Sequence, residues 1–590
     1  MRYPSRQQSE MSDSIHESQG SVERHSAAMR LPYVENTGGN PALVSPAVPL
    51  SELEVLVVDC QATAAAPCGQ LLEIGWARAG KAITDLRACL IALPKRERIP
   101  PAVVRITGIS DGMVRKGIEA GLAWRELSGT ASKLAQQPAP TVIHFARFEQ
   151  PFLSALAGGA TPFDLVCTHE IARRLLPDLP RCSLRALTGY FGRAVGELRR
   201  SADHVEATAF IWRELVCLLE EEGVATWTAL QEWLAAPVAS AKNPRRVWPM
   251  PRDVRLSLPD APGVYRMLRT SGDILYVGKA SSLHHRVNSY FRKQGGIAER
   301  MLEMLSQARG ISYELTPSAL EAALLEPDEI KRHRPPYNIA FTIKDRTLWF
   351  ASADLGSRSA RPSTRCPLGP FPSVEVLDQF AALARVDRAA LGPVRRGPDA
   401  DTFKAGYARL CAAHAEMSRS DLAAHARLLR LGTRLWREGR RDHDGAEDEV
   451  DGTGRGVASW TPELVQVSLE WVAMRAALAR HRATWLTRLA DAAVLWSERG
   501  AAGARLIVIE NGEIVFKASV DSGATPPVPP GHSRPVDARR KAINLERFDR
   551  LRVLSSELKR LVAGGAPVAV RFGVTPALAG TRLVHVLSWV

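Results

Sequence analysis

None of the eight cysteines, Cys60, Cys68, Cys89, Cys167, Cys182, Cys217, Cys366 and Cys411, is paired in a CxxC spacing. That argues against a zinc ribbon and an iron–sulfur cluster and leaves buried free thiols as the reading. No apolar run has the length of a membrane span, so no membrane partner is expected. The first thirty residues, MRYPSRQQSEMSDSIHESQGSVERHSAAMR, lack the apolar core of a signal peptide, and a cytoplasmic location is expected. Internal repeats are absent as well. What the chain does carry is positive charge: 77 Lys and Arg against 63 Asp and Glu give a net charge of +14. With 45% hydrophobic and 24% charged residues the composition is otherwise that of a globular protein. The charge fits a nucleic-acid partner without deciding it.

A length of 590 residues exceeds one core, and roughly 150 residues per domain suggests about three or four modules. Residues 1–51, rich in Ser, Gln, Glu and Pro, read as a disordered tail. LEVLVVDC then forms a continuous apolar strand ending on Asp59, and strands and helices alternate to about residue 235. This predicts a first domain, 52–235, with a mixed sheet covered by helices. The connector 236–257, which opens APVASAKNPRRVWPMPRDVR, clusters Lys242, Arg245, Arg246, Arg252 and Arg255, and reads either as a DNA-contacting strap or as a solvated linker. A compact unit follows at 258–350, then helical stretches at 351–440 and an acidic linker at 441–458. The last unit, 459–590, opens with long helical periodicity. It continues as a hairpin about Asn511-Gly512, a helix, ERFDRLRVLSSELKRLV, and a strand, PVAVRF. The fold class is α/β multidomain, with a small α+β module at the C-terminus that shows no catalytic constellation.

The chemistry concentrates in the 258–350 unit. GVY at 263–265 and YVG at 276–278 are two β runs joined by a turn containing Ser271, Gly272 and Asp273, which brings Tyr265 and Tyr276 onto neighbouring strands. A helix begins at SSL, with Ser281 or Ser282 as N-cap, and carries Arg286 and Tyr290 four apart on one face. Farther on, LEAALLEPDEIKRHRPPYN supplies a helix with Glu326 and an extended segment opening at Asn338. Taken singly, a tyrosine pair is ordinary packing, an isolated Glu is ordinary surface, and an Asn after Tyr is an ordinary turn cap.

Together and in order, LPDAPGVYRM, DILYVGKASSLHHRVNSYF, ALEAALLEPDEIKRHRPPYN and the later PLGPFPS resemble the GIY-YIG nuclease domain of the excinuclease C subunit and its shorter homologue Cho. The resemblance implies that Tyr265, Tyr276, Lys279, Arg286, Tyr290, Glu326 and Asn338 occupy active-site positions, with Gly263 and Gly278 shaping the hairpin. Phosphodiester hydrolysis needs an activated water and neutralisation of the charge developing on the phosphorane and the leaving oxygen. Glu326, the one obvious metal-ligating carboxylate, implies a single Mg2+ or Mn2+ on the leaving-group side. Arg286 can fork onto phosphate oxygens. Tyr276 is expected as general base or relay, with Lys279 and the metal favouring its phenolate; Tyr265 could fill the same role.

Earlier in the chain, VLVVDCQATAAAPCGQLLEIGWAR, ITGISDGMV, TVIHFARFEQPFL and LRRSADHVEATAFIW resemble the DnaQ-like DEDDh 3′–5′ exonuclease domain, which implies a ribonuclease H-like fold. The metal-binding pattern is broken. The DxE motif reads Asp59-Cys60-Gln61, the next acid falls on Glu149, and the HxAxxD positions fall on Arg199 and His204. Two-metal catalysis needs several carboxylates, and this set lacks them, although Asp203 stands beside the lost position. The domain is expected to bind DNA or a partner without cutting.

These readings converge on a metal-dependent DNA endonuclease that nicks damaged duplex DNA in nucleotide excision repair, with a Cho-like incision on the 3′ side. Its expected partners are DNA and other excision-repair proteins. The chain lacks the family's cysteine cluster, its UvrB-contacting helix pair and its second nuclease domain, which counts against partnership with UvrB. The alternatives are a 3′–5′ exonuclease resembling the epsilon subunit of DNA polymerase III with a GIY-YIG accessory domain, or a non-catalytic DNA-binding scaffold.

Overall fold

The computed structural model describes residues 48–590 except 95–96, 195, 197, 238–246, 293–295, 343–345, 393–396, 439–459, 499–502, 522, 531–542 and 589–590. The first domain is built on strands β1 (Val55–Ala62), β2 (Leu71–Ala79) and β3 (Ile83–Leu90), antiparallel to one another. β4 (Ala139–Ile143), followed by helix α1 (Ala146–Ala157), and then β5 (Phe163–Cys167) extend the sheet in parallel on the other side of β1. The order is β3-β2-β1-β4-β5, the ribonuclease H-like arrangement that the resemblance implies. β1 is apolar without alternation because both its faces are covered. Val55 and Val57 pack with Val205, Trp212 and Leu215 of helix α2 (Ser201–Glu221), and Leu56 and Val58 pack with Trp76 and Leu127 on the opposite face.

The second domain is a three-stranded antiparallel sheet, β6 (Gly263–Leu268), β7 (Ile274–Ala280) and β8 (Gly310–Leu315), in the order β7-β6-β8. Helix α3 (Leu283–Arg292) follows β7, and α4 (Ala319–His333) follows β8. A smaller sheet of β9 (Trp349–Ala351), β10 (Arg358–Ser359) and β11 (Leu368–Phe371) comes next, and the long helix α5 (Pro462–Leu489) packs against that region. The C-terminal sheet contains β12 (Ala493–Trp496), β13 (Ala504–Glu510) and β14 (Glu513–Val520), then helix α6 (Leu545–Ala563), β15 (Val568–Arg571) and β16 (Leu578–Ala579). Asn511 and Gly512 both take positive φ, 52° and 79°, as the tight β13–β14 turn requires. The order β14-β13-β12-β15-β16 echoes the first sheet, but β15 runs antiparallel to β12 where β4 runs parallel to β1.

The structure redraws several boundaries. Residues 1–47 of the expected tail lie outside the described residues, but Leu50 is buried and its N–H donates to the Ala225 carbonyl, so the first domain begins before residue 52. In the expected basic connector, Lys242, Arg245 and Arg246 lie outside the described residues; Met250 and Trp248 join the second domain's core. Arg255 is likewise taken inside, donating to Asn288 Oδ1 at 2.8 Å with its guanidinium 5.0 Å from the Phe291 ring centroid. The whole of the expected acidic linker, 441–458, lies outside the described residues too. The boundary at 459 does not separate cores, because α5 gives Val465 to Ala483 to the region before it and Trp485, Leu486 and Leu489 to the C-terminal module. Helical periodicity cannot register such a change of partner, since one continuous stripe serves both cores. Among the described residues no helix is long and apolar enough to cross a membrane.

Candidate active site

β6 and β7 pair with Tyr265 opposite Gly278 and Met267 opposite Tyr276. The two tyrosines are therefore diagonal neighbours on one face, with ring centroids 6.2 Å apart. A Cβ at Gly278 would lie 2.4 Å from Tyr265 Oη and 2.8 Å from Tyr276 Cε1, so only glycine admits both rings. Ser282 caps α3 by accepting the His285 N–H at 3.1 Å. This sets Arg286 and Tyr290 over the hairpin. The Arg286 guanidinium lies 5.0 Å from the Tyr290 ring centroid, and Tyr290 Oη is 2.7 Å from Tyr265 Oη. Tyr265 is wholly buried, Tyr276 and Tyr290 are half-buried, and Arg286 is exposed.

Burial, reinforced by Tyr290 and Tyr276, holds the Tyr265 phenol well above its ordinary pKa. Burial also raises Tyr276, aided by Tyr290 and Glu326 and opposed by Arg286. The expected Lys279 support for a Tyr276 phenolate is therefore corrected. Lys279 Nζ donates to Glu557 Oε1 at 2.6 Å, and the cation acting on the tyrosines is Arg286. Both phenols keep their protons at neutral pH. The two are also distinguished by access, since only Tyr276 is open to a reactant.

Glu326 projects from α4 and accepts the backbone N–H of Lys279 on Oε1 at 3.2 Å. Burial raises its pKa against the opposing pull of Lys279 and Arg286. Among the described residues Oε2 has no protein partner, and no cluster of three or more His, Cys, Asp or Glu is arranged to hold a metal. A hard cation at Glu326 would thus take one carboxylate from the protein and fill its remaining positions with water and phosphate oxygens, a donor set that suits Mg2+. Asn338 changes role. Its Oδ1 accepts the Val277 N–H and its Nδ2 donates to the Val277 carbonyl, each at 2.9 Å, so the amide is spent on holding β7 between Tyr276 and Gly278. Asn338 thereby braces β7 beside Tyr276.

In the first domain, Asp59 and His204 meet across β1 and α2, with His204 Nδ1 3.0 Å from Asp59 Oδ1. Gln61 Nε2 donates to Asp59 Oδ2 at 3.1 Å and lies 3.2 Å from His204 Nδ1. The other ring nitrogen faces the Leu198 carbonyl at 3.4 Å, so both nitrogens have acceptors. Burial alone would lower the His204 pKa, but the charge and hydrogen bond of Asp59 raise it and favour imidazolium. Both Asp59 carboxylate oxygens are thereby engaged, Oδ1 by His204 and Oδ2 by Gln61. Glu149 is buried, its Oε2 has no partner among the described residues, and burial beside Asp59 pushes its pKa up. Asp203 accepts the N–H groups of Arg199 and Arg200 on Oδ2 at 3.4 and 3.2 Å and caps α2. Arg199 itself is exposed.

Two features escaped the sequence reading. Buried Glu73 receives the Arg200 guanidinium and the Ser201 N–H, pinning α2 to β2. Glu557 and Asp549 lie among the buried residues of α6, beside Leu558 and Phe548. Acids within an apolar stripe are the sequence signal that would have flagged them.

Residues 261–339 match the family model described as the UvrC-like GIY-YIG domain. A Mycobacterium tuberculosis protein named as a bifunctional exonuclease/endonuclease is 31% identical over 355 residues, covering 57% of this chain and 52% of the relative. The UvrABC system protein C of Psychrobacter sp. is 42% identical over 134 residues, 21% of this chain and 22% of its own. The chain thus spans about half or less of the length of these relatives. Among solved structures, the N-terminal endonuclease domain of Thermotoga maritima UvrC bound to magnesium shows 33% identity, covers 15% of this chain and 94% of its own, and has a TM-score of 0.14. Exonuclease X in complex with 5′ overhanging duplex DNA shows 22% identity over 30% of this chain and 96% of its own, with a TM-score of 0.23. The hairpin glycine that admits two tyrosines, the Arg286–Tyr290 face and Glu326 all fall inside the matched segment, and residues 261–339 are a UvrC-like GIY-YIG domain.

Proposed function

We propose that this chain is a divalent-metal-dependent DNA endonuclease that nicks damaged duplex DNA in excision repair, cutting on the 3′ side of the lesion. The observation that carries the reading is the convergence of Tyr276, Tyr290 and Arg286 on one face with Glu326, whose second oxygen is unengaged. A cation bound at Glu326 would stabilise charge developing on the leaving oxygen. Exposed Arg286 binds the scissile phosphate through its fork, stacked on Tyr290. Tyr276, protonated at rest, holds the attacking water through its hydroxyl oxygen; as it takes that water's proton it passes its own to Tyr290 and on to solvent, so each phenol ends the step protonated. Tyr265 and Asn338 position Tyr290 and β7, respectively.

Incubating the protein with defined damaged, nicked and branched duplexes in Mg2+ or Mn2+, and mapping the cut, tests the reading directly. Arg286→Lys keeps the charge but loses the fork, and is expected to cost about tenfold or more in nicking. An unchanged rate in single-turnover assays would remove the bidentate contact.

The first domain serves this function as a DNA- or partner-binding module without metal chemistry. Full-length Glu326→Gln protein, in which the nuclease site is silent, is expected to leave a 5′-labelled single strand undegraded in Mg2+ and Mn2+. A metal-dependent ladder of shortened products that disappears on Asp59→Asn would overturn this and establish a working exonuclease.

A further inference from the structure

Lys279 is bracketed by two carboxylates from different parts of the chain. Its backbone N–H bonds Glu326 on α4 at 3.2 Å, and its ammonium bonds Glu557 on α6, in the C-terminal module, at 2.6 Å. The Glu557 side chain is only 8% exposed, against 39% for Lys279. Its second oxygen is taken as well: Arg560, one turn along, donates to Oε2 at 2.6 Å. Burial would raise the Glu557 pKa, but the hydrogen bonds from Lys279 and Arg560 outweigh it and keep the group ionised. A buried carboxylate is retained in such a place only when its partners are well aligned, and here both oxygens are satisfied.

The surroundings make this a fixed contact and not a lid. Arg550 of α6 bonds Asp328 of α4 at 3.0 Å, and Asp549 of α6 receives Arg346 at 2.8 and 2.7 Å, with Lys331 of α4 3.1 Å away. Arg505 of β13 bonds Glu321 at the start of α4 at 2.8 Å. Leu320 and Leu324 of α4 share one apolar core with Leu551, Leu554 and Leu558 of α6. Swinging Glu557 away from Lys279 by moving α6 would break all of these together. The helix that carries Glu326 and the helix that carries Glu557 therefore behave as one body.

We propose that Glu557 is a positioning residue of the nuclease site: it fixes the ammonium of Lys279, the residue whose backbone N–H bonds Glu326, so that the C-terminal module completes the GIY-YIG site. The inference rests on the nuclease reading above. A lysine ammonium on a flexible four-carbon stem is a point charge without its own orientation, and Glu557 supplies that orientation.

The test uses the full-length chain as wild type, Glu557→Gln, Glu557→Asp, Lys279→Ala and the double variant Lys279→Ala/Glu557→Gln, assayed for nicking across DNA concentrations. Glu557→Gln is expected to lower kcat about tenfold with KM within about threefold, Glu557→Asp to recover part of it, and the same Gln substitution to add less than about twofold once Lys279 is absent. A variant that merely misfolds the module would lose activity equally in both backgrounds, and that outcome overturns the proposal. So does an unchanged or faster rate in Glu557→Gln. Independently of catalysis, reductive methylation of Lys279 read by peptide mass spectrometry is expected to accelerate in Glu557→Gln, and unaltered labelling would dismiss the pairing. Failure of the wild type to cut any of the duplexes would overturn the nuclease reading, whereas a cutting wild type indifferent to Glu557 overturns this inference alone.

Discussion

Glu326→Gln stops nicking: the rate falls by at least about 10³-fold, while affinity for duplex DNA stays within about threefold. The two numbers separate because they draw on different groups. Affinity for DNA comes mainly from phosphate contacts made by Lys and Arg across the surface, and replacing one half-buried carboxylate leaves those in place. On the proposed reading, catalysis loses the carboxylate that would hold the cation, and several kcal/mol of leaving-group stabilisation with it. The substitution is also mild for the fold. An amide oxygen can still accept the Lys279 N–H, so β7 and α4 stay joined. Conversion of supercoiled to nicked plasmid, set beside filter binding at the same salt, gives both values. A near wild-type nicking rate would remove Glu326 from the metal site.

Tyr276→Phe is expected to lower kcat by about 10²-fold or more, with KM nearly unchanged. The ring fills the same space, so packing beside Tyr265 and over Gly278 survives. Only the hydroxyl is lost, and with it the relay to Tyr290. The raised Tyr276 pKa adds a sign. Because burial holds the phenol protonated, the wild-type rate should not climb with pH through the ordinary tyrosine range near 10, as it would if free phenolate were the base. A loss confined to KM would reassign Tyr276 to DNA binding. A pH–rate profile rising through that range would restore the phenolate.

Much of this architecture could be read from residue order alone. The apolar run of β1, the Asn511-Gly512 turn and the β6–β7 hairpin depend on contacts close in sequence, where period, glycine and turn chemistry act directly. The pairing of Arg286 with Tyr290 likewise follows from four-residue helical spacing. The departures from the exonuclease pattern at Gln61 and His204 are likewise a matter of residue type, visible without a structure.

Other features had no local cause. Asn338 was expected at a reacting centre, yet its amide is consumed by the Val277 backbone, a partner no spacing rule selects. Lys279 was expected to act on Tyr276 but is drawn to Glu557 on a distant helix, because a buried acid must find cations and these two helices share a core. That His204 forms an ion pair with Asp59, while Asp203 turns away to cap α2, was equally out of reach of a motif. Residue type and short-range periodicity determined which chemistry this chain can attempt and which elements carry it. Tertiary structure decided which charges meet, because burial makes an unpaired ion so costly that long-range packing selects each one's partner.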